Sequence, residues 1–229
     1  MNANMFRAED KYCCAPGEMY ELQERLNTIL RTDSNENDAE GYRVVSLYFD
    51  DLVDTCLRDT QEGSYHRRKY RIRIYNDSLA AIKLEVKEKR GNRIRKLSRG
   101  ITPEELHSLM NGQCIRSSFS PEDPGFLFNL AIQTKLLRPR VIVTYERKAF
   151  IYTPGNVRIT FDRNVRASRQ IEAFGTPDIL YDHLREQDAV LEIKYDELIP
   201  GFILQLLELN FPLQSAYSKY QLCRERYQN

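Results

Sequence analysis

Lys69–Lys96, KYRIRIYNDSLAAIKLEVKEKRGNRIRK, decides how the rest of the chain is read. In KYRIRIY, Tyr70, Ile72 and Ile74 fall on one face of an extended strand, and Lys69, Arg71 and Arg73 fall on the other. Asn76–Asp77–Ser78 supplies turn chemistry. In AIKLEVKEK, Ile82, Leu84 and Val86 alternate with Lys83, Glu85 and Lys87. After a turn at Arg90–Gly91–Asn92, the residues Arg93, Arg95 and Arg99 are expected to continue the charged face. From Arg67 to Arg99 there are 13 Lys or Arg against 3 acidic residues, in a chain whose net charge is only +1. A solvated strand face mixes signs, whereas this one sets like charges side by side, at up to roughly 1 kcal/mol per cross-strand pair. A polyanion lying on the face would offset that repulsion.

The chain has 229 residues, enough for a sizeable core, and is expected to form a single domain over 1–229. No apolar run approaches the length that spans a bilayer. MNANMFRAED lacks the apolar centre of a secretory leader, so the expected location is cytoplasmic. The five cysteines (Cys13, Cys14, Cys56, Cys114 and Cys223) show no C-x-x-C spacing and read as free thiols rather than zinc ligands.

In chain order, Phe6–Cys13 reads as a strand with Arg7, Glu9 and Lys11 on one face. Pro16 opens a helix whose Met19, Leu22, Leu26 and Ile29 make an apolar stripe. The polar stretch Asp33–Glu40 reads as a loop, and YRVVSLYFDD as a second strand. Thr102–Glu105 has capping-box spacing, and Gly112 is the expected helix end. FLFNLAIQTKLL reads as a buried helix, followed by the strands RPRVIVTYERKAFIY, VRITFDR and AVLEIKYDE. PGFILQLLELN and SKYQLCRERY are the closing helices. About eight strands, mostly joined as hairpins with helices between groups, give an α+β class protein. The expected architecture is an antiparallel eight-stranded barrel with helices packed around it.

Charge recurs strand after strand: Arg7, Glu9 and Lys11, then the central meander, then Arg147, Arg158 with Asp162, and Glu192 with Lys194. If these faces point inward, they line a wet cationic tunnel instead of a packed core. Arg and Lys in a tunnel bind phosphate, and a minority of carboxylates can hold the divalent metal that phosphate chemistry uses.

The ordered series R-x-E-x-K-Y at Arg7–Tyr12, LYFD at Leu47–Asp50, K-x-R-x-R at Lys69–Arg73, LEVK at Leu84–Lys87, Y-x-R at Tyr145–Arg147, VRITFD at Val157–Asp162, LEIK at Leu191–Lys194 and SKY at Ser218–Tyr220 resembles the VTC domain. That is the polyphosphate polymerase domain of the triphosphate tunnel metalloenzymes. The resemblance implies an eight-stranded tunnel holding ATP and a growing inorganic polyphosphate chain. It implies phosphate contacts for Lys11, Arg71, Arg73, Lys87, Arg147 and Arg158, and a cradle completed by Tyr145, Ser218 and Lys219. It further implies Glu192 as ligand to a divalent metal, Mn or Mg, and Arg93 and Lys96 along the path of the chain. The sequence departs from the family where Ala216 replaces a further basic residue two positions before the terminal S-K.

No nucleophile system is needed, since phosphoryl transfer is mainly positioning and charge neutralisation; the three histidines, His66, His107 and His183, stand in unpromising contexts. A tunnel hydrolase of tripolyphosphate stays open as an alternative, although hydrolytic relatives carry E-x-E-x-K near the start and Arg7 replaces the first Glu here. A non-catalytic polyphosphate binder is the third reading. Nucleic acid is disfavoured, because Tyr70 and Tyr75 lie off the basic face and offer no stacking platforms.

Overall fold

The alternation of the central meander folds into three consecutive antiparallel strands, and the rest of the chain closes a ring around them. The structure, a computed structural model, describes residues 6–33, 41–184, 189–207 and 217–228. Residues 34–40 of the loop expected at Asp33–Glu40, Ala216 and the end of the PGFILQLLELN helix lie outside the described residues. The chain runs through β1 (Arg7–Cys14), α1 (Pro16–Asn27), β2 (Arg31–Thr32), β3 (Tyr42–Asp50), α2 (Thr55–Gln61), β4 (His66–Tyr75), β5 (Ser78–Arg90) and β6 (Arg93–Ile101). It continues through α3 (Pro103–Met110), α4 (Pro124–Lys135), β7 (Arg138–Tyr152), β8 (Val157–Ser168), β9 (Asp182–His183), β10 (Ala189–Tyr195), α5 (Gly201–Leu207) and α6 (Lys219–Glu225).

Neighbouring strands follow the order β7-β3-β4-β5-β6-β1-β10-β8, and β8 pairs back onto β7, so these eight close an antiparallel barrel. The two-residue strands β2 and β9 attach at its margins. Asn76 and Asp77, both at positive φ (52° and 54°), make the tight β4–β5 turn. Gly91, at φ 55°, opens the β5–β6 turn beneath the ring of Tyr65. One seam is thin: β6 and β1 share only the pairs Arg7–Ile94 and Ala8–Arg93 among the described residues.

The apolar cores lie outside the ring. Ile72, Ile74, Leu84, Val86 and Leu97 pack with Leu106 and Leu109 of α3 and Leu127, Phe128 and Ile132 of α4. On the other side Ile159, Phe161, Leu191 and Ile193 pack with Met19, Leu22 and Leu26 of α1 and Ile203 of α5. The helices form where the sequence signals them. Thr102 Oγ1 accepts from the Glu105 amide while Glu105 Oε2 accepts from the Thr102 amide, and Gly112 at φ 70° ends the α3 turn.

Two expectations need correction. Ile29 is 56% exposed and Leu30, 7% exposed, takes its place, because α1 stops at Asn27 and the helical period no longer places residue 29. Arg93, Arg95 and Arg99 are not on the tunnel face. The two-residue turn sets Lys96 opposite Lys87 and Ser98 opposite Glu85, so the odd residues of β6 share the outer face with Glu88 and Val86. There Arg95 bonds Glu88 and Glu122, and Arg99 pairs with Glu105 and Asp123.

Candidate functional site

Since the outer faces are apolar and helix-covered, the alternate residues of every strand point into the ring. One continuous rung runs Tyr48–Arg71–Glu85–Ser98 across β3 to β6, and another sets three lysines together, Lys69–Lys87–Lys96. From the opposite wall come Lys11 opposite Glu192 and Thr160, and Glu9 opposite Lys194 and Arg158. Arg147 faces Asp162 across β7 and β8, with Tyr42 on its other side.

The interior carboxylates are each shared by two or more cations. Glu85 accepts from Arg71 Nε at 2.6 Å and from Lys96 at 3.0 Å, with Arg73 at 3.8 Å. Asp162 takes a bidentate pair from Arg147 at 2.6 and 2.7 Å and a third contact from Lys219 at 2.6 Å. Glu9 is bonded by Lys87 at 2.9 and 3.0 Å, with Lys194 at 3.4 Å and Lys11 at 3.8 Å. Glu192 pairs with Lys194 and, at 3.4 Å, with Lys11. Arg158 is held by Asp33 and by the Tyr42 hydroxyl at 3.0 Å.

Neutral groups orient the arginines. Arg71 Nη1 donates to the Tyr48 hydroxyl at 3.0 Å, and Arg73 donates to Ser46 Oγ and the Tyr145 hydroxyl, both at 3.1 Å. Lys69 donates to Ser218 Oγ at 2.9 Å, and Ser218 also caps α6 by accepting from the Gln221 amide at 3.2 Å. Helix α6 is fixed from beneath, where Tyr220 donates to Asp50 at 2.5 Å and the same carboxylate caps α2 through the Cys56 and Leu57 amides.

Crowding shows in the protonation equilibria. Burial, added to by the Lys11 charge and opposed by Glu9, pushes the Lys87 ammonium down to about 8. Burial and the charges of Lys87, Lys11 and Arg67 bring Lys69 well below the usual lysine range. Lys194 is likewise lowered well below it, first by burial. Burial alone would raise the Glu9 and Glu85 carboxyls, but their cationic neighbours outweigh it and hold both well below the carboxylate range.

Of the residues singled out from sequence, Lys11, Arg71, Arg73, Lys87, Lys96, Tyr145, Arg147, Arg158, Glu192 and Lys219 lie on or reach the inner wall. Ser218 stands at the tunnel end beside Lys69, whereas Arg93 stands on the outer face opposite Arg90. Glu9, Lys69, Glu85, Asp162 and Lys194 belong to the same network without having been named as binding residues; their alternation with the named ones was the available signal. Arg7, in the place of the first Glu of the hydrolytic pattern, turns to Asp196 at 2.8 Å and to the Asn156 carbonyl.

Among the described residues no three His, Cys, Asp or Glu side chains converge as a metal cage. Glu192 and Glu9 do converge, both within ion-pair distance of Lys11 and Lys194. One or two carboxylates completed by substrate phosphates and water is how Mg²⁺ is usually held, so these donors fit a divalent ion that arrives with a triphosphate. No helix of the described residues is long and apolar enough to cross a membrane.

A family model described as the VTC domain matches residues 6–227. No curated protein sequence matches the chain. Among solved structures, a Bacillus halodurans protein described as a candidate adenylate cyclase superposes with a TM-score of 0.58 at 11% identity, covering 93% of this chain and 95% of that one. The PH1819 protein of Pyrococcus horikoshii scores 0.48 at 15% identity over 96% and 97% of the two chains. A further candidate adenylate cyclase, from Vibrio parahaemolyticus, scores 0.48 at 14% identity over 90% and 87%. At these identities the likeness is one of fold, and it rests on the first of the three.

Proposed function

This chain belongs to the VTC-domain family, and from that premise we propose that its tunnel is the site of a polyphosphate polymerase, acting as one domain, that transfers the terminal phosphate of ATP to a growing inorganic polyphosphate chain. The observation that carries the reading is the surplus of cations. Each of the carboxylates Glu9, Glu85, Asp162 and Glu192 is already outnumbered by its basic partners, so an entering polyanion meets uncompensated positive charge.

In this reading Arg71, Arg73 and Arg147 grip phosphate oxygens with planar donors whose orientation is fixed by Tyr48, Tyr145 and Asp162. Lys11, Lys87, Arg158 and Lys219 neutralise the charge spread over the transferred group, with Lys96 and Ser218 towards the ends. Glu192, with Glu9 beside it, would hold a divalent ion, which would supply Lewis-acid neutralisation of phosphate charge. Lys11 and Lys194 would then give up the two carboxylates and turn to the phosphates. The acceptor is itself a phosphate anion, so no strong base is required, and three lysines whose ammonium is lowered, Lys69, Lys87 and Lys194, are engaged by Ser218, Glu9 and Glu192.

One observation keeps a triphosphate hydrolase as the second reading. The adjacent pair Glu9 and Glu192 is the kind of donor set that also holds a metal-activated water. Incubation with ATP and Mn²⁺ separates the two: long acid-labile polymer is expected, and release of free phosphate alone would transfer the assignment to the hydrolase.

A further inference from the structure

Lys69 projects from β4 into a cavity of about 540 Å³ bounded by the C-terminal end of α2, the start of α6 and the β5–β6 turn. Lys87 stands opposite it across β4 and β5, and two residues back along β4 Arg67 stands opposite Lys89. Lys11 lines the same cavity. The carboxylates on this wall are occupied: Lys87 bonds both oxygens of Glu9, and Asp10 Oδ2 accepts from the Tyr195 hydroxyl at 2.9 Å. Among the described residues Lys69 has no carboxylate in ion-pair range. Its Nζ donates to Ser218 Oγ at 2.9 Å and lies 5.5 Å from the centre of the buried Tyr220 ring.

An ammonium in this position is desolvated and is repelled by Lys87, Lys11 and Arg67, and both effects favour the neutral amine. Cys56 acts in the other sense, but burial and Asp50 hold it as the uncharged thiol. Ser218 offers a hydroxyl and no countercharge. A neutral lysine beside other cations is a nucleophile. Lys87 differs, since it donates to both oxygens of Glu9. The surplus of cations also selects the electrophile. A phosphate monoester dianion would offset the repulsion between Arg67 and Lys89, and the volume suits a small molecule carrying one. A carbonyl on that molecule is then delivered to Lys69. Attack of the Nζ lone pair on an aldehyde carbon forms a C–N bond and gives a carbinolamine. The carbonyl oxygen then departs with the two amine protons as water, which leaves an imine and needs no oxidant or reductant. Ser218 Oγ accepts from Lys69 and from the Gln221 amide, so its own proton is available to the carbinolamine oxygen.

We propose that Lys69 is a Schiff-base-forming lysine, and that this cavity takes a phosphorylated aldehyde as a reversible covalent ligand. The proposal holds whether the tunnel polymerises or hydrolyses, and its test needs no turnover. The probe is pyridoxal 5′-phosphate, with unphosphorylated pyridoxal as the control. Borohydride reduction fixes the imine, and peptide mass spectrometry locates it. At neutral pH Lys69 is expected to be labelled about tenfold or more faster than any other lysine, and pyridoxal is expected to label it more slowly by a similar factor. Labelling of exposed lysines should rise by about tenfold per pH unit between 7 and 9, and that of Lys69 less steeply. Label spread over exposed lysines, label placed first on Lys87 or Lys89, or equal rates with the two aldehydes overturns the proposal. Lys69→Met is expected to lose the visible absorbance of the imine, and its retention in the folded variant overturns the proposal too. Thermal melting checks the fold, and Lys69→Arg, which keeps the charge without the nucleophile, is judged in the same way should Lys69→Met not fold.

Discussion

Lys87 Nζ lies 2.9 and 3.0 Å from the two carboxylate oxygens of Glu9, so a single lysine holds both oxygens of a carboxylate inside the ring. Burial lowers this ammonium to about 8 despite that partner, whereas an unfolded chain keeps a lysine protonated to about 10.4. Between those values the folded form binds fewer protons than the unfolded one, so this group's contribution to stability rises with pH across the window. A bound polyanion reverses the preference by holding the proton on. Tripolyphosphate affinity is therefore expected to fall by up to about tenfold per pH unit above 8, and Lys87→Met is expected to flatten the profile. Calorimetric titration across the window reads both, and a flat wild-type profile would rule the coupling out.

Arg71→Ala removes a buried guanidinium that meets Glu85 at 2.6 Å and the Tyr48 hydroxyl at 3.0 Å. Glu85 keeps Lys96 and Arg73, so the fold is expected to survive with a loss of about 3 kcal/mol, or roughly 6–12 °C in Tm. The wild type should gain Tm from tripolyphosphate and the variant should not. Equal ligand-induced shifts in the two proteins would remove Arg71 from the binding wall.

Glu192→Gln deletes one negative charge beside Lys11 and Lys194 and one oxygen donor for a divalent ion. Turnover is expected to drop by on the order of 100-fold. Tripolyphosphate binding without metal should be retained or tightened, because two lysines lose their internal competitor. Metal titration of turnover decides, and unaltered metal dependence in the variant argues against a ligand role.

Tyr220→Phe tests the support beneath the site. Its hydroxyl donates to Asp50 at 2.5 Å, the carboxylate that also caps α2, and Tyr220 follows directly on Ser218 and Lys219. Losing one donor to a buried carboxylate is expected to cost about 1–2 kcal/mol. Amide exchange should speed up in α6 and α2 together; faster exchange in only one of them would mean that Asp50 does not couple the two helices.

The alternation of charge and apolar residues in KYRIRIY, LEVK and LEIK disclosed both the strands and which faces would be wet, because a period of two survives any closure of the sheet. Closure itself is a long-range event. Nothing local in RPRVIVTYERKAFIY announces that this strand pairs with β3 on one edge and β8 on the other. The misplacement of Arg93, Arg95 and Arg99 shows how a basic stretch misleads: a two-residue turn reverses which parity faces inward, and composition carries no parity. Lys69 was visible as a charge but not as a partner of Ser218, since 149 residues separate them. The short strands β2 and β9 carry two residues each, too few for any period to show.

The thin β6–β1 seam bears on how a long molecule leaves a closed ring. A polymer inside an unbroken hoop is topologically captive, like thread in the eye of a needle, and departs only by sliding its full length. Among the described residues the hoop is fastened there by the pairs Arg7–Ile94 and Ala8–Arg93, a clasp of two rungs. Undoing two rungs is a small local opening compared with unfolding the barrel. On the polymer reading, a chain threaded through the ring would have a sideways exit there, with a barrier that does not grow with the length of the chain.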